Sequence, residues 1–468
     1  MYLTLALVLY ILIALSLVVS LLVNGVRPSK TLAWLLAIFT IPVAGILFYL
    51  MLGRNRRNKK IVKIGKSMAK PMGTDFSPLI KKASKSHSKI MRLIYKNCRF
   101  LPSSNNDLIL LKDGRSTFES IFETMENAQE FIHLQYYIFE DGELADKLLV
   151  LFRRKITEGV TVRMIYDSIG SYSLSRNYLG KLELAGVKVY PFLPYRFGRL
   201  LTSLNYRNHR KIIVVDGIHA FTGGINISDK YVKGDPLLGK WHDLHLKISG
   251  DAATDLNRIF MIDWLAVADE RLDFPMQIST HKSDREKSVV QIVHSGPDDD
   301  FPAIEQVYFS MITEAANYLY VANPYLIPGN AILTALETAA LSGVDVRLLL
   351  SAHNDSRVLN WGVRSYFETL LRAGAKIYLF PDGFLHSKMM LSDDSIASIG
   401  TANIDIRSFE QNYEVNAILY DTEFIEKLRA DFLRNCEKSD RLSYSDHLER
   451  PWSHKLKEGV AKIFSPLL

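Results

Sequence analysis

Residues 208–226 read NHRKIIVVDGIHAFTGGIN, and residues 385–403 read LHSKMMLSDDSIASIGTAN. Each stretch has the form His-x-Lys, four residues, Asp, and then an Asn ten residues beyond that Asp. His209, Lys211, Asp216 and Asn226 answer to His386, Lys388, Asp393 and Asn403, each 177 positions later (386 − 209). A four-point match at constant offset marks an internal repeat that carries chemistry. Two similar halves are therefore expected.

Working outward, the flanks repeat as well. Residues 131–139 form an aromatic and β-branched run that reads as a strand, and residues 317–325 resemble it. Residues 144–158 have apolar side chains at helical spacing, and 160–166 read as a buried strand ending at Asp167. Gly159-Val160-Thr161-Val162-Arg163 is echoed by Gly343-Val344-Asp345-Val346-Arg347, and Ala185-Gly186-Val187-Lys188 by Ala373-Gly374-Ala375-Lys376. The offsets drift, so insertions separate the copies. The largest lies at 192–207 in the first half, with Pro194, Tyr195, Arg196, Phe197 and Arg199. Strands alternating with helices predict an α/β fold in two pseudo-symmetric lobes with central mixed sheets.

Side chains two apart on a strand share a face, so each His points the same way as its Lys. If the lobes face each other, two imidazoles, two ammoniums and two Asn amides converge on one pocket. Lys211, Lys388, Asn226 and Asn403 can donate to the non-bridging oxygens of a phosphodiester and to a five-coordinate transition state. One neutral imidazole can attack phosphorus to give a phosphohistidine. The other can protonate the leaving alkoxide and then deprotonate the incoming hydroxyl. These donors supply the positive charge a metal would otherwise bring, so no metal or cofactor is expected. A nucleophilic imidazole needs an acid on its other nitrogen. Asp243 downstream of the first motif and Glu414 downstream of the second are the candidates. Asp216 and Asp393 complete the catalytic signature but are expected to brace the strand ends. Outside the repeat, His133, His219, His242, His245 and His454 are set aside, and Cys98 and Cys436 read as free thiols.

The formal net charge is +7, but it is unevenly spread. Residues 1–70 hold ten Lys and Arg and no Asp or Glu, which leaves 57 − 10 = 47 basic against 50 acidic residues, a balance of −3. A duplex-binding protein needs a basic footprint on its working domain, so nucleic acid is not an expected partner. Residues 2–23 and 32–52 are two uncharged runs of about the twenty residues that cross a bilayer. The short turn between them implies a transmembrane hairpin, with Pro42 a potential kink in the second span. The basic cluster at 54–60 places the following domain on the cytoplasmic side of a bacterial cell membrane. The layout is then a hairpin with its basic flank at 1–60, a linker and juxtamembrane segment at 61–107, and lobes at 108–290 and 291–468. An amphipathic helix containing residues 90–95 is expected near the membrane surface. The tail, 452–468, sets Leu456, Val460, Ile463 and Phe464 against Lys455, Lys457 and Lys462; it fits an interfacial helix or ordinary packing equally.

The duplicated motif resembles the signature of the phospholipase D superfamily. The resemblance to its bacterial cardiolipin synthases extends to residues 31–36 of the apolar segment, to Phe221-Thr222-Gly223-Gly224, and to residues 400–409. It implies two phospholipase D-like lobes and transfer of a phosphatidyl group from one phosphatidylglycerol to the hydroxyl of another, giving cardiolipin and glycerol. It also implies that His209 attacks and His386 serves as acid and base. His242 departs from the pattern, in which Arg is more usual between Trp and Asp. The implied partners are phosphatidylglycerol and membrane lipid, and a homo-oligomer is left open.

Three rival readings stand beside this one. With water or another alcohol as acceptor, the same residues make a phospholipase D or another phosphatidyltransferase. A phosphodiester nuclease shares the chemistry, but two apolar spans and a near-neutral catalytic region argue against it. A non-catalytic membrane scaffold leaves two intact motifs as an accident.

Overall fold

The computed structural model describes residues 2–23, 28–41, 43–50, 78–194, 205–272, 287–381 and 383–465. The basic cluster at 54–60, the linker at 61–77 and most of the first-half insertion, including Tyr195, Arg196, Phe197 and Arg199, lie outside the described residues. The chain divides into two units, residues 1–57 with 193–206, and residues 58–192 with 207–468.

In the first unit the helix Tyr2–Val23 runs for 22 residues without a charged side chain. Its side chains are described without interruption only over 8–23, and among the described residues no helix is long and apolar enough to cross a membrane. The expected second span is not continuous. It is divided into Pro28–Thr40, of 13 residues, and Ala44–Phe48, of 5. Thirteen residues rise only about 20 Å, short of a hydrocarbon core of about 30 Å. Between the two pieces Val43 takes a left-handed φ of 66°. Near the end of the first piece the Tyr10 hydroxyl donates to the carbonyl of Ile38 at 2.7 Å.

In the second unit, one sheet runs through both lobes. The first lobe holds β1 (Ser103–Leu111), β2 (Phe131–Tyr136), β3 (Thr161–Asp167), β4 (Lys188–Phe192), β5 (Arg207–Asn208), β6 (Ile212–Val215), β7 (His219–Gly223), β8 (Trp241–His242) and β9 (His245–Gly250). The second holds β10 (Ser288–Ser295), β11 (Tyr318–Ala322), β12 (Leu326–Ile327), β13 (Asp345–Ser351), β14 (Lys376–Phe380), β15 (Phe384–Leu385), β16 (Met389–Ser392), β17 (Ile396–Gly400), β18 (Ile404–Asp405), β19 (Asn412–Leu419) and β20 (Asp440–Arg441). Outside the main sheet, β12 pairs with β18 and β15 with β8. The order is β20-β14-β13-β11-β16-β17-β19-β10-β1-β9-β7-β6-β2-β3-β4. Apart from β20, it reads the same from either end when each strand is replaced by its counterpart in the other lobe. The pseudo-dyad therefore passes between β1 and β10, which pair antiparallel. The outer strands β2, β3 and β4 are parallel, as are β11, β13 and β14.

Local sequence explains these elements. Every residue of β6 and β16 is buried, as expected of strands covered on both faces. The helix Glu143–Thr157 turns Leu144, Leu148, Leu151 and Phe152 into the core, each worth about 2 kcal/mol on burial. Helix starts are capped by Asp113, Ser175 and Asp421, whose side chains accept from backbone N–H groups. The helix expected at the membrane surface is Lys85–Cys98. Its apolar face is not free for lipid: Ile90, Met91, Ile94 and Cys98 are buried, and Ile90, Ile94 and Cys98 join the hydrophobic core shared by both lobes. Cys98 and Cys436 are free and buried.

Candidate active site

Neither His-x-Lys motif lies within a strand of the main sheet. Each follows a two-residue strand that crosses the pseudo-dyad. β5 pairs in parallel with the start of β19, Arg207 beside Asn412 and Asn208 beside Tyr413. In the other direction β15 pairs with β8, Phe384 beside Trp241 and Leu385 beside His242. The pairing continues one residue further: His209 N donates to Tyr413 O at 3.0 Å, and His386 N donates to His242 O at 2.7 Å. This register lays each motif histidine against the acid of the opposite lobe. His209 Nδ1 lies 2.9 Å from both oxygens of Glu414, and His386 Nδ1 lies 2.7 Å from Asp243 Oδ2.

The two lysines repeat the same contact. Lys211 Nζ donates to His209 O at 2.8 Å, and Lys388 Nζ to His386 O at 2.5 Å. Both are buried, and each retains two N–H groups for a ligand. The charges of Lys388 and Lys211, and of His209, bear on His386, so the motifs share one electrostatic site.

Asn226 accepts from Ile138 N and donates to the Tyr231 hydroxyl at 2.8 Å, which leaves one amide hydrogen. Asn403 is buried, and its Oδ1 has no partner among the described residues. Asp216 and Asp393 stand apart from the pocket. Asp216 accepts from the N–H groups of Gln129, Glu130 and Phe131, and Asp393 from those of Ala316, Asn317 and Tyr318. Both take left-handed backbone angles, φ 51° and 52°, at the far ends of β6 and β16. Their carboxylates tie the end of each motif strand to the start of its neighbour.

The two acid–imidazole pairs differ. Burial works to raise Glu414, but His209, Lys211 and the Thr401 hydroxyl outweigh it and hold the carboxylate below its ordinary value. Thr401 Oγ1 donates to it at 2.5 Å and Asn412 Nδ2 at 3.3 Å. Asp243 has the N–H of Leu244, and burial pushes it up to about 7. Burial draws His209 down to about 4 against the opposing pull of Glu414, and holds His386 well below the ordinary range. At neutral pH the first pair is a neutral imidazole donating to a carboxylate, with Nε2 free as a nucleophile. In the second pair burial favours the protonated form of Asp243, whose O–H can donate to Nδ1, so that the neutral imidazole carries its own proton on Nε2. Burial also draws Lys211 down to about 7 and Lys388 to about 8; a bound anion would raise both.

Both motifs fall within segments matched by a known family. The family model described as "Cardiolipin synthase, PLD-like domain" matches residues 121–264 and 308–436, one segment in each lobe. The chain belongs to this family. A second model, "Phospholipase_D-nuclease N-terminal", matches residues 8–54. As a member of the family, the chain is 41% identical to a cardiolipin synthase of Geobacillus kaustophilus (strain HTA426), over 97% of this chain and 92% of that one. It is 35% identical to the major cardiolipin synthase ClsA of Bacillus subtilis (strain 168), over 94% of each. In fold it is similar to the phosphatidylserine synthase of Haemophilus influenzae Rd KW20, with a TM-score of 0.62 over 82% of this chain and all of that one. At 14% identity this last likeness speaks to fold alone.

Several site residues escaped the motif. The Tyr231 hydroxyl lies 3.5 Å from His386 Nδ1, and the Trp241 ring packs 5.2 Å from that imidazole. Tyr137 meets His209 edge-on at 4.8 Å. Arg210 donates to the buried Asp263 at 2.6 Å, and Arg207 to Asp167 at 3.1 Å. None has a counterpart of the same type at the repeat offset, which was the only signal available to find them. Thr401 could have been found, since it stands beside Asn403 in the second copy.

Proposed function

We propose that this protein is a cardiolipin synthase that joins two phosphatidylglycerol molecules through a phosphohistidine. The observation that carries the reading is the pair of imidazoles, each held at Nδ1 by an acid from the other lobe and flanked by buried lysines. The names of the full-length relatives supply the lipid.

His209 Nε2 attacks phosphorus while Glu414 takes up the developing charge through Nδ1–H. The bond to the glycerol oxygen breaks, and His386 delivers its Nε2 proton to make free glycerol while the proton of Asp243 moves to Nδ1. A second phosphatidylglycerol then enters. His386 removes the proton from its hydroxyl, the oxygen attacks the phosphohistidine, and His209 leaves as neutral imidazole. Lys211, Lys388, Asn226 and Asn403 donate to the phosphoryl oxygens throughout. Asp216 and Asp393 act as structural ties. No step in this scheme requires a metal.

In this proposal the apolar N-terminal segment anchors the enzyme in a bacterial membrane as a multi-pass hairpin, through the helix Tyr2–Val23 and the interrupted segment beyond it. The cations at 54–60 keep the catalytic lobes, 108–290 and 291–468, on the cytoplasmic side. Incubating the purified chain with phosphatidylglycerol, with and without chelator, tests the reading. Equal yields of glycerol and cardiolipin are expected in both samples. Phosphatidic acid in place of cardiolipin would mean that water is the acceptor and the transferase reading fails.

A further inference from the structure

The helix Trp452–Ile463 lies against the catalytic body with its apolar side turned outward. Its buried residues are Glu458 and Ala461. Trp452 is 74% exposed and Ile463 75%, and Leu456, Val460 and Phe464 are exposed as well. Trp452, Leu456, Val460 and Ile463 recur at helical spacing and form one stripe. On a helical wheel Lys455 and Lys462 border the stripe on one side and Lys457 on the other. The only acid in the helix is Glu458, and it is turned inward.

The arrangement is held in place. Arg450 joins Glu458 and Glu368, both at 2.9 Å, and Tyr366 donates to Ser465 at 3.2 Å. Lys457 and Lys462 lie over the rings of Trp361 and Tyr366. The supporting helix, Arg357–Arg364, follows the loop that holds Asp355. Asp355 accepts from Tyr325, and its charge bears on the catalytic lysine Lys388. The outward stripe is therefore one helix away from the rim of the active site.

An exposed apolar stripe bordered by lysines on a pinned helix has the form of an interfacial helix that sinks its apolar face into the headgroup boundary. We infer that the helix Trp452–Ile463 is a docking surface for an anionic bilayer, seating the catalytic body on the lipid from which it draws substrate. The lysines and the lack of exposed acid select the anionic headgroup. The surface rests on the lipid-substrate reading above, and the test separates the two.

The native cysteines are buried, so a polarity-sensitive fluorophore can be placed through Ile463→Cys in the full chain. Leu184→Cys, at an 89% exposed position of another helix, serves as reference. Both labelled chains are reconstituted in phosphatidylglycerol vesicles and in phosphatidylcholine vesicles, and quenching by acrylamide is measured. At position 463, the emission should shift to the blue and the quenching constant should fall to half or less of the reference in the anionic vesicles, with a smaller effect in the zwitterionic ones. Quenching equal to the reference overturns the docking surface, and equal protection in both vesicles overturns its preference for anionic lipid. Lipid products are read from the same samples. Cardiolipin formed while position 463 stays aqueous refutes the docking surface alone. Protection without phosphatidyl transfer refutes the enzymatic reading and leaves the docking surface standing.

Discussion

The two copies of the motif share a backbone plan and differ in what surrounds them. At the position after Gly223 and its counterpart Gly400, the first copy has Gly224 and the second Thr401. The Thr401 hydroxyl donates to Glu414. No side chain fits at Gly224, because a Cβ there would stand 2.1 Å from Asp243 Oδ1. Asn412 adds another donor to Glu414, whereas its counterpart Trp241 packs on the His386 ring. One acid is thus stabilised as an anion, and the other is driven towards its neutral form. Arg207 and Arg210 brace the first motif through buried acids, and the second has Phe384 and Ser387 in their places. In the proposed scheme their neighbours give near-identical motifs different work: an anionic Glu414 suits a nucleophile at His209, and the proton that Asp243 can hold suits an acid and base at His386.

The sharpest way to break this comparison is to remove each imidazole in turn. His209→Ala and His386→Ala should each lower transfer by about 10⁴-fold or more. Only the His386 variant should still form a phosphoenzyme, from a substrate whose leaving group needs no proton. Denaturing quench and mass spectrometry would show it, and a phosphoenzyme in His209→Ala would reverse the assignment.

The next effect is on stability. Arg210→Met leaves Asp263 buried without its ion pair and should cost about 3–5 kcal/mol. Ser387→Ala, at the equivalent place in the second copy, should cost no more than about 1 kcal/mol. Thermal unfolding of the detergent-solubilised chain would measure both; equal losses would remove the claimed difference in bracing.

The acids come third. Glu414→Gln should reduce kcat by about a hundredfold, because the amide cannot balance charge on the imidazole. Asp243→Asn should cost only about tenfold, since the amide still donates to Nδ1 of His386 as the protonated acid does. A larger loss at Asp243 would show that the pairs play the opposite parts.

The aspartates at the strand ends supply a control. Asp216→Ala and Asp393→Ala should each destabilise the fold by about 2 kcal/mol through lost backbone acceptors, with kcat of the folded enzyme little changed. A collapse of kcat without a change in melting temperature would return them to the chemistry.

The smallest effect concerns pH. Burial lowers both lysines, to about 7 for Lys211 and about 8 for Lys388, so each is charged below its value and neutral above it. In the free enzyme kcat/KM should therefore fall as pH rises through about 7–8, by about tenfold per unit for each lysine that loses its proton. Lys211→Arg keeps its charge and should flatten the part of that limb set by Lys211. An unchanged limb would assign the fall to another group.

Much of the fold was legible in the chain. Strands such as Thr161–Asp167 and Asp345–Ser351 and helices such as Glu143–Thr157 announce themselves through periodicity, because local burial is written at a spacing of two or of about four. The second apolar segment was less so. Its composition implies one span, yet the helix is broken at Val43, whose φ is 66°, and the Tyr10 hydroxyl that meets the Ile38 carbonyl lies 28 residues away. The helix Lys85–Cys98 displayed an amphipathic pattern without saying whether protein or lipid would cover it. The core between the lobes covers it, while the similar pattern at Trp452–Ile463 is left bare.

By itself the sequence determined that there are two α/β halves and that each carries His, Lys, Asp and Asn at a fixed spacing, and it nominated Asp243 and Glu414 as acids for the imidazoles. Those facts are local, set by residue type and by counting along one chain. Which acid holds which histidine was decided only by tertiary structure. The two-residue strands at Arg207–Asn208 and Phe384–Leu385 cross the pseudo-dyad and pair in parallel with the opposite lobe, so hydrogen-bond register, and not distance along the chain, puts Glu414 beside His209 and Asp243 beside His386. Neither lobe can complete its own histidine, because the carboxylate it needs belongs to the other.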